Sequence, residues 1–226
     1  IKDGKTIKNF GTEKEHKRVG EGDKGKNTGG MGAYSPSRLI NHELEKKILE
    51  KIIKPTLKGL TELGNTYKGF LYAGLMIKDN EPFLVEYNVR MGDPECQIIL
   101  PKLKSDLITI ILACIEGRLA ETKIDWSHKK SLCVVLCSNG YPDNYEKNIV
   151  IDNLSKLDID DDNFIFHAGT LKNKNQILSI GGRVLNFISI SEDFLLARNN
   201  IHKNIEKLNW DKGFYRKDIA FKVINK

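Results

Sequence analysis

The chain has 226 residues, of which 40% are hydrophobic and 29% are charged, a balance typical of a globular protein with one large or two small domains. No apolar run approaches the ~20 residues of a membrane-spanning helix, and the cysteines form no Cys-x-x-Cys pair of the kind found in zinc sites. The formal net charge of +6 comes from lysines spread along the chain without an aromatic-interleaved basic patch, so we expect neither nucleic acid nor a membrane as a partner.

The N-terminus suggests where the protein resides. Ile1 is not an initiator methionine, and no apolar stretch follows the charges after it. We therefore expect no signal peptide, and we expect the chain to start inside a longer protein. Without a secretory signal, reduced thiols and a cytoplasmic location are the expectation.

The first elements predicted along the chain are a strand, a loop and a helix. Residues 1–9 are expected to end a strand pair, and residues 13–36 to form a long polar loop rich in glycine. Asn41 predicts the N-cap of a helix whose apolar residues recur at helical spacing until residues 64–65 end it. Pro55 should kink or break this helix.

A hairpin and an apolar helix follow. Residues 70–77 and 83–89 have the apolar and β-branched character of strands, and the Asp-Asn pair between them is a turn signal. Residues 97–115 predict one strongly apolar helix, which Gly117 ends.

The second half of the sequence changes to short strands after a polar segment at residues 122–130. Ser191 predicts the cap of a last helix that runs to about residue 208. A final strand is expected over residues 219–224. The other strands are predicted at residues 131–137, 148–151, 163–168, 176–180 and 182–190.

The strand within residues 81–95 carries the most specific chemistry. Because side chains alternate along a strand, Glu86, Asn88 and Arg90 are expected on one face. Glu86 and Asn88 carry hard oxygen donors that suit Mg²⁺. The guanidinium of Arg90 can donate two parallel hydrogen bonds to phosphate oxygens. This set suits phosphoryl transfer, in which charge must be neutralised. The Glu-Tyr-Asn part by itself fits an exposed edge strand with solvated charges.

The glycine-rich stretch is the second candidate. Its Gly-x-Gly-x-x-Gly at residues 20–25 lacks the preceding apolar strand and following helix of a dinucleotide-binding motif, and no P-loop spacing is present. Gly29, Gly30 and Gly32 would let backbone amides approach an anion closely. The alternative is a flexible surface loop.

Several stretches in the same order resemble the phosphoribosylamine–glycine ligase family of the ATP-grasp superfamily. They cover both halves of the chain, which makes the resemblance far more specific than any single motif. The stretches are His16-Lys-Arg-Val-Gly, Asn27-Thr-Gly-Gly-Met-Gly-Ala-Tyr-Ser-Pro36, Gly69-Phe-Leu-Tyr-Ala-Gly-Leu-Met76, Glu86-Tyr-Asn-x-Arg-x-Gly-Asp-Pro-Glu95, Gly140-Tyr-Pro142, Phe166-His-Ala-Gly-Thr170, Gly181-Gly-Arg-Val-Leu185 and Phe214-Tyr-Arg-Lys-Asp-Ile219.

The resemblance implies an α+β fold with two parts. Residues 1–125 would be the C-terminal part of an ATP-grasp domain, with a mixed or antiparallel sheet and helices. Residues 126–226 would be a small, mainly-β C-terminal domain with one helix. The family joins glycine to 5-phosphoribosylamine with ATP in purine biosynthesis, through a glycyl phosphate.

The resemblance also implies roles for individual residues. Glu86 and Asn88 would bind Mg²⁺ or Mn²⁺, and Arg90 and Asp93 would be catalytic, with Glu95 a weaker candidate. The preceding strand has no second carboxylate, so the number of metal ions is open. Substrate binding would fall to Asn27, Thr28, Gly29, Gly30, Met31 and Gly32.

Two departures from the family pattern bear on these roles. Glu15 stands where the family usually has Asp, and Ala220 stands where it usually has Gly. Family enzymes begin with further domains, so the resemblance implies a missing N-terminal half as a partner and weak or no activity of this chain alone. Two alternatives stay open: another ATP-grasp ligase, such as a biotin-carboxylase-like subunit, and a noncatalytic assembly module.

Overall fold

The computed structural model describes residues 1–224 and confirms the α+β class, with helices beside antiparallel sheets. The strands are β1 (Lys2–Asp3), β2 (Lys14–Glu15), β3 (Arg18–Gly20), β4 (Lys24–Asn27), β5 (Gly32–Ser35), β6 (Lys68–Gly69), β7 (Tyr72–Lys78), β8 (Glu81–Asn88), β9 (Lys130–Ser138), β10 (Ile149–Val150), β11 (Asn163–His167), β12 (Thr170–Asn173), β13 (Gln176–Ser179), β14 (Arg183–Ser191) and β15 (Gly213–Phe214).

The α-helical segments of the described residues range from 4 to 15 residues in length. The α-helices are α1 (His42–Ile48), α2 (Lys54–Glu62), α3 (Cys96–Ile99), α4 (Leu107–Glu116), α5 (Phe194–Leu208) and α6 (Phe221–Ile224). A π-helical turn covers Leu49–Ile53, and 3₁₀ turns cover Leu100–Lys102 and Leu154–Lys156. Among the described residues, no helix has the length and apolar character needed to cross a membrane.

The described chain divides into two compact units. The first contains residues 1–12, 37–92 and 103–127, and the second contains residues 13–36, 93–102 and 128–224. Two early segments therefore pack with the C-terminal part of the chain, a feature that the linear pattern did not indicate. The assignment of residues 1–125 and 126–226 to two family domains stays a prediction.

The first unit combines a long helix with the β7–β8 hairpin. The helix begins where predicted, since the side chain of Asn41 accepts a hydrogen bond from the Leu44 amide at 2.8 Å. It does not break at Pro55, because the π-helical turn just before the proline changes the bonding pattern where the proline N–H is missing. The hairpin is confirmed, with Lys78 opposite Glu81.

The single helix predicted over residues 97–115 is wrong. α3 ends at Ile99, and α4 begins only at Leu107. Pro101 lies between them and cannot donate a helical hydrogen bond. Asp106 then starts a new helix, because its side chain accepts a hydrogen bond from the Thr109 amide at 2.6 Å. The predicted stop at Gly117 is confirmed by its left-handed backbone, with φ of +76°.

The second unit is an antiparallel sheet in the order β11–β14–β9–β5–β2, with β15 also pairing with β9. β9 lies at its centre and is buried from residue 131 to residue 138. Cys133 and Cys137 lie on this strand as fully buried thiols without a disulfide partner. α5 packs on β14 and β9, while β10, β13 and β12 form a separate small sheet.

Four predictions for the second unit are wrong. Residues 13–36 are not an open loop, because β3 and β4 form a hairpin and β5 enters the central sheet. Residues 219–224 form a turn and α6 instead of a strand, and β12 was missed. The cap of α5 is Asp193 and not Ser191, since the Asp193 side chain accepts from the Leu196 amide at 2.7 Å.

The central sheet supplies a test of the core. Phe187 on β14 is 1% exposed, whereas Phe166 on the edge strand β11 is 40% exposed. We expect Phe187→Ala to lower the free energy of unfolding by about 3–5 kcal/mol, because it removes a buried ring and leaves a cavity. Urea unfolding followed by circular dichroism measures this loss. Phe166→Ala is the matched control, and an equal loss for both variants would contradict the described core.

Candidate functional site

In the first unit, Glu86 and Asn88 lie together on β8. The amide nitrogen of Asn88 approaches Glu86 Oε1 at 3.5 Å, so the two side chains share one face of the strand, as predicted. A bulge at Val85 interrupts the alternation before them, since Gly74 pairs with Glu86 while the next residue of β7 pairs with Leu84. A strict two-residue alternation therefore does not extend across the whole strand.

A glycine opposite Glu86 leaves room for its side chain. A Cβ atom on Gly74 would lie 3.0 Å from Glu86 Cγ, closer than side chains normally pack. The sequence analysis missed Gly74, although it lies within one of the family-like stretches. Its role is to let the carboxylate lie against β7 without displacing the strand.

The hairpin is tied to the helix of the same unit at two points. The Tyr87 hydroxyl lies 2.8 Å from Thr56 Oγ1, which fixes the face of β8 opposite Glu86. At the start of β8, the Glu81 carboxylate forms ion pairs with Lys47 and Lys51, each at 2.7 Å. Hydrogen bonds from these two lysines lower the pKa of Glu81 to about 2. The strand that carries Glu86 is thus held at both ends.

The donors on β8 fit a divalent cation bound together with a phosphate ligand. Glu86 and Asn88 offer two oxygen donors, and Mg²⁺ commonly takes one or two protein ligands and completes its shell with water and phosphate oxygens. No group of three or more His, Cys, Asp or Glu side chains suited to a metal occurs within residues 1–224. Arg90 follows the end of β8, where its exposed guanidinium donates to the Met91 carbonyl at 2.8 Å.

In the second unit, the backbone amides of the glycine-rich stretch already have partners. Thr28 N donates to the Lys17 carbonyl, Gly29 N to the Tyr141 hydroxyl, and Gly30 N to the Thr28 hydroxyl, at 2.8, 2.9 and 3.0 Å. The Met31 amide donates to another backbone carbonyl at 2.9 Å. In this structure these amides do not form an open anion cradle, and the substrate role of residues 27–32 stays a prediction.

Close packing explains why this stretch needs glycine. Gly30 has a φ of +114°, and a Cβ atom there would lie 2.6 Å from Pro94 Cδ and 2.8 Å from Glu15 Oε1. A Cβ atom on Gly29 would lie 3.1 Å from the guanidinium carbon of Arg183. Asn27 and Gly29 are exposed, whereas Gly30, Met31 and Gly32 are buried.

Arg183 links the glycine-rich stretch to Asp93. Its guanidinium donates to the Gly29 carbonyl at 2.6 Å, to the Asp93 carbonyl at 2.9 Å and to Asp93 Oδ2 at 2.8 Å. Asp93 Oδ1 accepts from Gln97 at 2.8 Å. The sequence analysis did not assign Arg183 a role, although the Gly-Gly-Arg stretch that resembles the family contains it.

Carboxylates crowd the same part of the second unit. Burial and the charges of Glu95 and Glu15 raise the pKa of Glu13 to about 8. Burial and the charge of Glu95 raise the pKa of Glu15 to about 7, against the opposing effect of Arg183. No local pattern distinguishes Glu13 from the other charged residues of this polar segment. Near neutral pH, Glu13 is therefore mostly protonated and Glu15 is partly protonated, whereas exposed carboxyls would be ionised.

Family models match both parts of the chain. The phosphoribosylglycinamide synthetase ATP-grasp (A) domain matches residues 1–96, and the C domain of the same enzyme matches residues 131–222. A phosphoribosylamine–glycine ligase from Brucella melitensis is 41% identical over 226 residues, covering 100% of this chain and 53% of the relative. The chloroplastic ligase of Arabidopsis thaliana is 42% identical over 98% of this chain and 42% of the relative.

Solved structures agree with these relatives. A phosphoribosylamine–glycine ligase from Thermotoga maritima matches with a TM-score of 0.78 and 34% identity, over 91% of this chain and 50% of that one. Urea carboxylase from Kluyveromyces lactis matches with a TM-score of 0.61 and 14% identity, over 92% of this chain and 17% of that one, a likeness of fold alone. The chain spans about half the length of the curated relatives that it matches.

The carboxylate group predicts a dependence of stability on pH. Because the folded-state pKa of Glu13 is raised from 4.5 to about 8, the folded protein binds more protons than the unfolded chain between these values. The free energy of unfolding should therefore fall as pH rises through this window. Glu13→Gln removes the charge, so it should stabilise the protein relative to wild type at pH values above about 8 and change it much less below about 4.5.

Urea unfolding at both ends of this window provides the measurement. Glu146→Gln is the control, because Glu146 is an exposed carboxylate of the same unit. A pH profile of Glu13→Gln that runs parallel to that of wild type would contradict the raised pKa.

Proposed function

Because the chain belongs to the phosphoribosylglycinamide synthetase family of ATP-grasp ligases, we propose that it forms the C-terminal part of an enzyme that joins glycine to 5-phosphoribosylamine in purine biosynthesis. The observation that carries the proposal is the placement of Glu86 beside Asn88 on one face of β8. Two hard oxygen donors at this position suit a cation bound to the phosphates of ATP.

The proposed reaction has two steps. First, a carboxylate oxygen of glycine attacks the γ-phosphorus of ATP, the bond between the β- and γ-phosphates breaks, and ADP leaves. Second, the amino nitrogen of phosphoribosylamine attacks the carbonyl carbon of the glycyl phosphate and loses a proton, while the carbon–oxygen bond to phosphate breaks. Phosphorylation is needed because a carboxylate has no good leaving group, and the protein contributes mainly positioning and charge neutralisation.

The proposal gives each predicted site residue a role. Glu86 and Asn88 would hold Mg²⁺ or Mn²⁺, which neutralises phosphate charge when bound. Arg90 binds the oxygens of the transferred phosphoryl group. Asp93 acts in the second unit, where it holds Arg183 beside the Gly29 carbonyl.

The glycine-rich stretch would contact glycine or phosphoribosylamine. Asn27, Thr28 and Gly29 would make the contacts, because the first and third are exposed and the second is half-buried. Gly30, Met31 and Gly32 are buried, and we assign them the role of supporting the backbone of the three contact residues. This division follows from exposure and does not require free backbone amides.

Turnover by the whole reaction tests the proposal. ADP release that depends on glycine and phosphoribosylamine should be measured with Mg²⁺, for this chain alone and for the chain joined to the N-terminal region of the Brucella melitensis relative. We expect the joined protein to be active and the chain alone to be weak or inactive, since the chain spans about half the length of that relative.

A pair of glutamate variants sharpens this test. In the joined protein, Glu86→Gln should lower kcat by about 100-fold or more, because it removes a charged oxygen donor from the phosphoryl-transfer site. Glu81→Gln is the matched control on the same strand, since Glu81 binds two lysines of the helix. It should retain most of the activity. Equal losses would overturn the metal-binding role of Glu86, and turnover with bicarbonate in place of glycine would favour the carboxylase-like alternative.

We also propose a partner surface and a location for the protein. On the hairpin, Met76, Phe83 and Val85 are 61%, 54% and 66% exposed, an unusual density of apolar side chains for a free surface. The region of the relatives that this chain does not span would cover this face. A cytoplasmic location is supported by four free cysteines, which suit a reducing compartment.

Binding between the two regions tests the partner surface. We expect Phe83→Asp to weaken the affinity of this chain for the separate N-terminal region of the relative by about tenfold or more, because a charge would be buried at the contact. Isothermal titration calorimetry measures the Kd. Ile159→Asp is the control, since Ile159 is a 51% exposed residue of the second unit. Equal affinities of the two variants would exclude the hairpin face as the contact.

A further inference from the structure

The C-terminal stretch around Arg216 has no role in the proposed chemistry, yet it contains the most completely buried charge of the second unit. Arg216 is 1% exposed. Its guanidinium donates two hydrogen bonds to Asp218, both at 2.8 Å. It also donates to the Arg18 carbonyl at 3.0 Å and to Asp23 Oδ1 at 2.9 Å. A buried guanidinium with this many partners fixes the segments that supply them.

Two partners of Arg216, Arg18 and Asp23, belong to the β3–β4 hairpin, which leads directly into the glycine-rich stretch. Arg18 is on β3, and Asp23 lies at the hairpin turn with a φ of +58°. Asp218 holds the same turn, because its Oδ2 accepts from the Gly22 amide at 2.8 Å. Lys222 on α6 reaches Asp23 Oδ2 at 2.5 Å. The C-terminal stretch therefore holds the strand that ends at Asn27.

His16 holds the other end of the stretch. Its ring is 1% exposed, with Nδ1 3.1 Å from Asp23 Oδ1 and Nε2 accepting a hydrogen bond from the Ala220 amide at 3.1 Å. Because Nε2 accepts, the proton lies on Nδ1 and is donated to Asp23. The backbone of His16 bonds to both Met31 and Gly32, at 2.9 and 2.8 Å.

The electrostatics of this group agree with its geometry. Burial lowers the pKa of His16, so the ring stays neutral and keeps Nε2 available as an acceptor. Burial alone would raise the pKa of Asp23, but hydrogen bonds from Lys222, His16 and Arg216 hold it well below its ordinary value. The neutral histidine and the ionised aspartate are the forms that the observed hydrogen bonds require. Ala220 keeps a φ of +66°, which aims its amide at the ring.

We propose that Arg216 and His16 are positioning residues that fix the conformation of residues 27–32 from both ends. The two side chains meet at Asp23, so the C-terminal stretch, the hairpin and the glycine-rich stretch form one connected clamp. The consequence for catalysis rests on the proposed function, in which residues 27–29 contact glycine or phosphoribosylamine and residues 30–32 support them. The conformational part of the inference is independent of it.

Amide hydrogen exchange on the 226-residue chain tests the conformational part. Arg216→Lys keeps the charge but cannot reproduce the fork to Asp218. His16→Gln keeps an acceptor near Ala220 but loses the ring nitrogen that donates to Asp23. In both variants we expect the amides of residues 28–31 to exchange about tenfold faster or more, while the amides of β14 change less than about twofold.

Lys207→Ala is the matched control. It breaks an ion pair between α5 and Asp158 in the same unit, away from the clamp, and should leave exchange at residues 28–31 unchanged. Unchanged exchange at residues 28–31 in His16→Gln would overturn the proposal. Equal acceleration throughout the central sheet would also overturn it, because it would show only a general loss of stability. If Arg216→Lys fails to fold, His16→Gln still decides the question.

Kinetics of the joined protein test the catalytic part. We expect His16→Gln to raise the KM for glycine or phosphoribosylamine by about tenfold, with the KM for ATP changed less than about twofold. A general loss of stability would lower the active fraction without this selective change in KM. If the variants exchange faster but the wild-type joined protein does not turn over glycine and phosphoribosylamine, the proposed function is overturned and the clamp is still supported. Faster exchange with unchanged KM values would overturn only its effect on substrate binding.

Discussion

The second unit depends on the pairing of β5 with β9, because this pairing draws the glycine-rich stretch into the central sheet. Gly32 pairs with Val134, and a Cβ atom on Gly32 would lie 2.5 Å from the carbonyl oxygen of Cys133. Gly30 is equally constrained by Glu15 and Pro94. Close approach of chain segments thus requires these glycines, whether or not an anion binds nearby. The stretch is a packed part of the sheet, with Asn27 and Gly29 exposed at one end.

Charged side chains, half-buried at Arg183 and fully buried at Arg216, then connect segments that are far apart in sequence. Arg183 holds Asp93 beside the glycine-rich stretch, and Arg216 holds Asp218 and Asp23 at the β3–β4 hairpin. A buried guanidinium is tolerated only when its hydrogen bonds are satisfied, so the loss of any one partner affects the others. The short strands of this unit gain from such contacts an order that their length alone would not give.

The first unit shows a different way of fixing a functional face. The β7–β8 hairpin is a two-stranded sheet, which is marginal by itself. Its attachment to the helix through Tyr87 and Glu81 holds β8 on either side of the bulge at Val85. Glu86 and Asn88 consequently stand on a strand that is fixed by packing, which a metal or phosphate site requires. The exposed apolar side chains of the same hairpin form the surface that we propose is covered by the region of the relatives that this chain does not span.

Local pattern determined much of this protein: the helix that begins at Asn41, the hairpin, the strand around Cys133, and the pairing of Glu86 with Asn88 on one face. These features depend on residues near one another in sequence, whose periodicity and capping can be read directly. Tertiary structure alone decided that residues 13–36 join the C-terminal sheet, that Arg183 and Arg216 carry the connecting charges, and that the carboxyl of Glu13 keeps its proton. It also placed Ala220 in the left-handed region of the backbone, with a φ of +66°. Each of these features depends on partners more than 70 residues away in sequence, or on burial by those partners. Local pattern shows neither the distant contacts nor the burial.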